Sequence, residues 1–315
     1  MVTTCACPVC EFGKSEFFAS IDGYDYLQCG SCRSLHIACD VLDDIDRGSA
    51  PRLYDEDYWR EELRSARERA GGVSLVRAGE AILYCRRPVT RFLDVGTGPG
   101  YLLDELAKQF PTRQDVFHGV ELFPPEEHSS HPNYMRGDVG MLDMTFDAGV
   151  CIEVIEHLTP RMLAELARGL ARVSTTGTLW LFNTGMPDYV LNEDRGYLDP
   201  LRRGHIVSYS LPGLAHIFEP HGLRVQALPG KSFAFVAEFQ PDTVINDFEH
   251  RIYRPLAENT SLLQESGLLH QAAFESARAY LYYSLYLKKA ISSPTRGLLR
   301  RSAHSMLPAF MRRRK

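Results

Sequence analysis

No run in the 315-residue sequence approaches the roughly 18–20 apolar residues that a membrane span needs. The first residues also lack a basic stretch followed by an apolar core, so no secretory signal is read and a cytoplasmic location is expected. Positive charge is scarce over most of the chain. Seven of the 35 Lys and Arg residues fall in 291–315, which holds no Asp or Glu, so the remainder carries 28 basic against 40 acidic residues, a net charge of −12. An acidic body is a poor nucleic-acid binder. The length and the 44% apolar, 24% charged composition leave room for one large α/β domain with additions.

Cysteine is scarce after residue 40. Six of the eight cysteines precede it, including Cys7-Pro8-Val9-Cys10 and Cys29-Gly30-Ser31-Cys32. Two C-x-x-C knuckles separated by 18 residues match a four-thiolate zinc ribbon over 1–40, with Cys7, Cys10, Cys29 and Cys32 as ligands. Disulfides are the competing use, disfavoured in a reducing compartment. Cys5 is a substitute ligand, and Cys39 is expected to pack. Segments 17–21 and 24–27 read as a hairpin between the knuckles. Such a ribbon is folded by its metal, and its role can be structural alone. An Asp-rich linker over 40–51 leads into two helices, 60–70 and 73–85, within the region 41–88.

Beside its one glycine-rich loop the chain lacks two familiar signatures. Residues 92–95 read as a buried strand, Gly96, Gly98 and Gly100 follow on alternate positions, and Leu102, Leu103 and Leu106 open a helix. That order aims backbone N–H groups and a helix N-terminus at a nucleotide-like ligand. The dinucleotide pattern needs its third glycine at 101, where Tyr101 stands, and no Lys-Ser/Thr pair completes a P-loop. From residue 91 strands and helices alternate, which predicts a mostly parallel sheet over 89–240. Strands are expected at 115–121, 133–138, 146–153 and 178–183, with 223–228 and 231–239 as a closing antiparallel pair. Glu121 ends the strand at 115–121, where an acid can bond ribose hydroxyls.

The run Asp94-x-Gly96-x-Gly98-x-Gly100, followed by Glu153-Val154-Ile155-Glu156-His157-Leu158, resembles class I S-adenosylmethionine (SAM)-dependent methyltransferases of the ubiquinone-biosynthesis type. The resemblance implies a Rossmann-like, seven-stranded, mostly parallel sheet with helices on both faces. It implies that Gly96, Thr97, Gly98 and Gly100 approach the amino-acid part of SAM and that Asp94 holds its amino group. Asp138 falls beside the adenine amino group, and Leu122, Val139 and Cys151 join the same cofactor set. Tyr58 and Trp59 are candidates for a lid over SAM, or simply pack their helix. Amine-directed relatives carry Asn/Asp-Pro-Pro-Tyr/Phe after the fourth strand; this chain has Cys151-Ile152-Glu153-Val154, which points to oxygen or carbon as acceptor. A zinc ribbon ahead of this domain resembles bacterial sugar methyltransferases. The implied function is O- or C-methylation of a small molecule, a sugar or glycan precursor.

Methyl transfer from a sulfonium needs alignment, exclusion of water and removal of a proton from a weakly acidic acceptor. His205, His157 and Glu153 are the candidate bases, with a structural hydrogen bond as the other reading for each histidine. His205 closes a long polar segment, 184–205, and is expected to be mobile and exposed over the acceptor pocket. Two other function classes stay open: an RNA methyltransferase gripping nucleic acid through the ribbon, and a non-catalytic SAM-binding scaffold. Residues 241–290 read as accessory helices for pocket closure or a homodimer contact. The basic, amphipathic 291–315 either lies on the inner face of an anionic membrane or is a solvated end.

Overall fold

The structure, a computed structural model, describes residues 5–52, 56–241 and 247–292, without the side chains of 56–59, 61, 62, 291 and 292. The side chains of Tyr58 and Trp59, residues 242–246 of the expected accessory helical segment, and the tail beyond 292 therefore lie outside the described residues.

The chain begins as an antiparallel meander: β1 (Cys5–Ala6), β2 (Lys14–Ile21), β3 (Tyr24–Cys29) and β4 (Leu35–Ile37). Asp22 and Gly23 both take positive φ and join β2 to β3 as a two-residue hairpin turn, pairing Ile21 with Tyr24. The Asp-rich stretch expected as a linker opens instead with helix α1 (Cys39–Asp46). Leu42 and Ile45, three apart, give it a buried face, and Asp40 sits favourably in its first turn. Next come α2 (Glu56–Arg69) and α3 (Leu75–Tyr84), separated by a π-turn at Ala70–Ser74 where Gly72 leaves helical geometry.

The sheet is laid down by β5 (Phe92–Val95), α4 (Tyr101–Gln109), β6 (Phe117–Glu121), β7 (Tyr134–Arg136), β8 (Phe146–Ile152), α5 (Pro160–Arg172) and β9 (Ser174–Asn183). There follow α6 (Pro187–Asn192), β10 (Val207–Ser208), α7 (Leu211–Phe218), β11 (Leu223–Ala227) and β12 (Ala234–Phe239). The seven strands run in the order β11-β12-β9-β8-β5-β6-β7, and only β12 is antiparallel to its neighbours. This is the expected Rossmann-like sheet. Its strand order reverses beside β5, between β6 and β8, so a ligand crevice lies at the carboxyl ends of β5 and β8.

Period-two alternation sends Trp180 and Phe182 to one face and Leu179 and Leu181 to the other. The first face packs with α5, α7 and the meander in one continuous core that includes Tyr26, Leu35 and Ile37. The second is covered by α3, α4, α8 (Phe248–Tyr253), α9 (Ala257–Gln264) and α10 (Gly267–Ser292). Helices α3 and α10 cross closely at Gly79, where a Cβ would stand 2.9 Å from Ala273 Cβ. Asn259 ties α9 to the segment before β5, donating to the carbonyls of Cys85 and Arg87 and accepting from Val89 N–H. Among the described residues no helix is long and apolar enough to cross a membrane.

The meander is not a detached module. Strand β10 pairs with β4, Val207 opposite His36 and Ser208 opposite Leu35, which makes a second, five-stranded sheet.

Candidate active site

The glycine loop turns as its composition dictates. Gly96, Gly98 and Gly100 all have positive φ, and Gly100 caps α4 in the left-handed conformation. A Cβ on Gly96 would stand 2.5 Å from Val154 Cγ2. The loop is held from three sides. Gly96 and Thr97 N–H donate to Val120 carbonyl, Gly98 N–H to Glu121 Oε2 at 2.8 Å, and the Tyr134 hydroxyl to Gly98 carbonyl at 2.6 Å. Beneath it, Asp94 accepts from Thr97 Oγ1 at 2.7 Å. Burial pushes the Asp94 carboxyl up to about 7, against that hydrogen bond. An ammonium beside it is the natural partner for such a group.

A cleft opens here, and the structure brings Asp94, Gly96, Thr97, Gly98 and Glu153 together on its wall. Arg69, Ala70 and Ser74 join them from the end of α2 and the π-turn. The Gly71-Gly72 pair was the only sequence sign that this hinge bends over a site. The other expected cofactor residues stand along the same edge. Glu121 ends β6, and its second oxygen accepts Phe123 N–H, so it braces the loop and keeps lone pairs for a ligand hydroxyl. Leu122 is half exposed; Asp138 is exposed and caps the turn at Val139, which is buried. Cys151 is fully buried under the cleft rather than on its wall.

Beyond the loop the cleft ends at Glu153, a non-glycine residue with φ of 55° directly after β8. Strained backbone of this kind costs on the order of 1–3 kcal/mol and concentrates at functional positions. Asn183, ending the neighbouring β9, donates to Glu153 Oε1 at 2.8 Å and accepts from Arg77 Nε at 3.0 Å. Arg77 pairs with Glu80, and Glu80 with Lys231, so a buried charged chain fixes the Asn183 amide. Burial pushes the Glu153 carboxyl up, while Arg69 and Asn183 pull it down.

Against this wall lie Glu156, His157 and His205. His205 is buried at 5% exposure, contrary to the mobile, exposed placement expected from the sequence. The segment carrying it is folded inward by Met186, Val190, Tyr197 and Leu198, all buried, with the Tyr197 hydroxyl accepting Gly185 N–H at 2.7 Å. His205 Nδ1–H donates to Tyr197 carbonyl at 2.7 Å, and His157 Nδ1–H to Gly204 carbonyl at 3.1 Å. Burial depresses both imidazoles, His157 to about 4 and His205 well below its usual range, so both are neutral.

The N-terminal sheet grips the same segment. The Tyr26 hydroxyl donates to His205 carbonyl at 2.6 Å, and Ile37 N–H to Ile206 carbonyl at 2.9 Å. Ser34 accepts Ser210 N–H at 3.1 Å. Behind these contacts the sulfurs of Cys7, Cys10, Cys29 and Cys32 lie within 4.8 Å of one another. Cys7 and Cys32 are 3.8 Å apart and Cys10 and Cys29 3.7 Å. Tetrahedral Zn–S bonds of about 2.3 Å give edges of about 3.8 Å, so the donor set fits a structural zinc ion. Ser31 and Cys32 N–H groups point at Cys29 Sγ, both at 3.3 Å. Cys5 and Cys39 are joined in a disulfide instead of serving as substitute ligand and packing residue.

A family model described as a methyltransferase domain matches residues 54–228, more than half of the chain. The chain belongs to that family of methyltransferase domains. Solved structures are similar at lower resemblance. An O-methyltransferase of neocarzinostatin biosynthesis is 20% identical over 48% of this chain and 49% of its own, with a TM-score of 0.37; the present chain thus spans about half of it. An amino pentose methyltransferase of calicheamicin biosynthesis from Micromonospora echinaspora is 17% identical over 59% of this chain and 98% of its own, with a TM-score of 0.41. Mitomycin 7-O-methyltransferase is 21% identical over 62% and 61%, with a TM-score of 0.40. No curated protein matches the sequence.

Proposed function

We propose that the protein transfers the methyl group of SAM to a hydroxyl oxygen of a small molecule, a sugar or glycan precursor. The observation that carries this reading is the polar far wall of the cleft, where Arg69, Ser74 and Glu153 stand beside the glycine loop. An apolar slot would suit an aromatic ring; this wall suits a ligand with several hydroxyls. Asp94 would hold the SAM ammonium beside the glycine loop, with the Arg69 guanidinium on the same wall for its carboxylate. The acceptor oxygen forms its bond to the methyl carbon as the C–S bond breaks, its electron pair staying on sulfur. Glu153, whose carboxyl is pushed up by burial, would take the hydroxyl proton. Zinc on the four thiolates fixes the sheet that holds residues 205–210, and the basic 291–315 would bring the enzyme to a membrane-linked acceptor.

The test is transfer of a tritiated methyl group to a panel of sugar nucleotides, phenols and RNA. Label on a sugar-nucleotide hydroxyl is expected. Label confined to phenols or to RNA would overturn the acceptor class.

A further inference from the structure

Three charged side chains are buried behind the wall that carries Glu153, and their charges do not balance. Glu80 of α3 accepts from Lys231 Nζ with both carboxylate oxygens, each at 2.6 Å, and the ammonium lies 4.8 Å from the centre of the Tyr280 ring on α10. One anion and one cation already match there. Arg77, one turn earlier on α3, adds a second cation whose side chain is only 6% exposed. Burying a charge beyond the pairing is costly, so what that guanidinium touches needs a reason.

Arg77 divides its donors between two partners. Nη1–H donates to Glu80 Oε2 at 2.6 Å, and Nε–H to Asn183 Oδ1 at 3.0 Å. A guanidinium has no acceptor atom, so the oxygen end of the Asn183 amide is the end that must face α3. The NH2 end is thereby turned to Glu153 and donates to its Oε1 at 2.8 Å. An amide NH2 can only donate, so Oε1 must present a lone pair. We propose that Arg77 is a positioning residue for Glu153: by fixing the direction of the Asn183 amide it holds Oε1 as a hydrogen-bond acceptor, so that a proton taken by the carboxyl goes to Oε2. Without Arg77 the amide can turn over, because a protonated Glu153 can donate to Oδ1 just as its carboxylate accepts from Nδ2.

This role rests on the reading of Glu153 as the base. The cleft reaches Glu153, and the acceptor hydroxyl would give its proton to Oε2 while its oxygen bonds the methyl carbon and the C–S pair returns to sulfur. Arg69, Arg203 and the Glu156 carboxyl also stand around Glu153, and all three are unchanged in the variants below.

The test follows the Glu153 carboxyl itself, in the full chain without acceptor. Infrared difference spectra across pH identify its band by the loss of that band in Glu153→Gln. Arg77→Met should fold, since Glu80 keeps Lys231, and the Glu153 titration should move up by about one pH unit as the amide stops donating to the carboxylate. Removing the Arg77 charge would raise it too, and a double-mutant cycle separates the two causes. In an Asn183→Ala background, Arg77→Met should shift the titration by less than about a quarter as much, because the amide it directs is gone. An equal shift in both backgrounds, or none in either, overturns the positioning role. Asn183→Asp keeps the contact with Arg77 and offers Glu153 no donor; it should raise the titration by about one unit or more, and an unmoved titration there also overturns the role. Methyl transfer by Glu153→Gln is scored separately. Full turnover in that variant removes the base reading whatever the titrations show, and shifted titrations stand without it as evidence for what Arg77 directs.

Discussion

The two ends of the cleft are built in opposite ways. The cofactor end is contiguous: Asp94 to Gly100 form one strand, one turn and one helix start, braced by Thr97 within the loop and by the adjoining strands β6 and β7. The far end, proposed for the acceptor, is stitched from distant pieces. Glu153 to His157 follow β8, Asn183 ends β9, His205 arrives from a folded loop, and Tyr26 and Ile37 hold that loop from the N-terminal sheet. A local site survives damage elsewhere in the chain; a stitched one fails when any of its pieces lets go.

Cutting the N-terminal stitch should give the largest separation between the two ends. Cys29→Ser removes one of the four thiolates proposed to hold zinc, which should cost the meander folding energy on the order of several kcal/mol. Acceptor turnover should fall by at least about 100-fold, while SAM affinity measured by calorimetry changes less than about threefold. A smaller cut is Asn183→Ala, which frees Glu153 from its fixed orientation. The turnover number should drop about 10–100-fold with SAM affinity nearly unchanged. Equal losses at both ends in either variant would break the distinction.

At the cofactor end the pH dependence of stability isolates Asp94. Its pKa is raised in the folded chain to about 7 from an ordinary value of 3.8. Below pH 4 both states are protonated and this contribution is fully present. Between about 4 and 7 the unfolded chain loses the proton that the folded one keeps, so stability without SAM falls as pH rises. The loss amounts to about 4 kcal/mol when complete. Urea unfolding at pH 5 and pH 8 should show that decline in wild type, with a weaker slope in Asp94→Asn. The smallest effect is Tyr134→Phe, which deletes the hydroxyl that bonds Gly98 carbonyl. It should cost about 1 kcal/mol, or roughly fivefold in SAM affinity, and leave acceptor binding alone.

The same contrast explains what could be read from the residues alone. Alternating apolar runs and the glycine turn are nearest-neighbour signals, so the parallel sheet, the loop and the closing antiparallel pair lie where the sequence placed them. Helix α1 was hidden because only Leu42 and Ile45 mark its face among aspartates. Strand β10 is two residues long, too short for any periodicity, and its partner is about 170 residues away. Residues 184–205 looked exposed because they are polar. Inside the fold those polar groups bond one another, Tyr197 with Gly185 and His205 with Tyr197, which lets the segment bury. Arg69 and Ser74 were missed because a flexible glycine pair says where a chain bends and not what it bends over.

The most direct test of the central claim is calorimetric titration of SAM into wild type and Gly98→Asp. Gly98 has φ of 57° and lines the cleft, and its N–H is held by Glu121, so an added carboxylate meets both backbone strain and two nearby acids, Asp94 and Glu121. Saturable SAM binding by wild type and its loss by at least about 100-fold in Gly98→Asp are the predicted result. Undiminished affinity in the variant would contradict the placement of SAM on this loop.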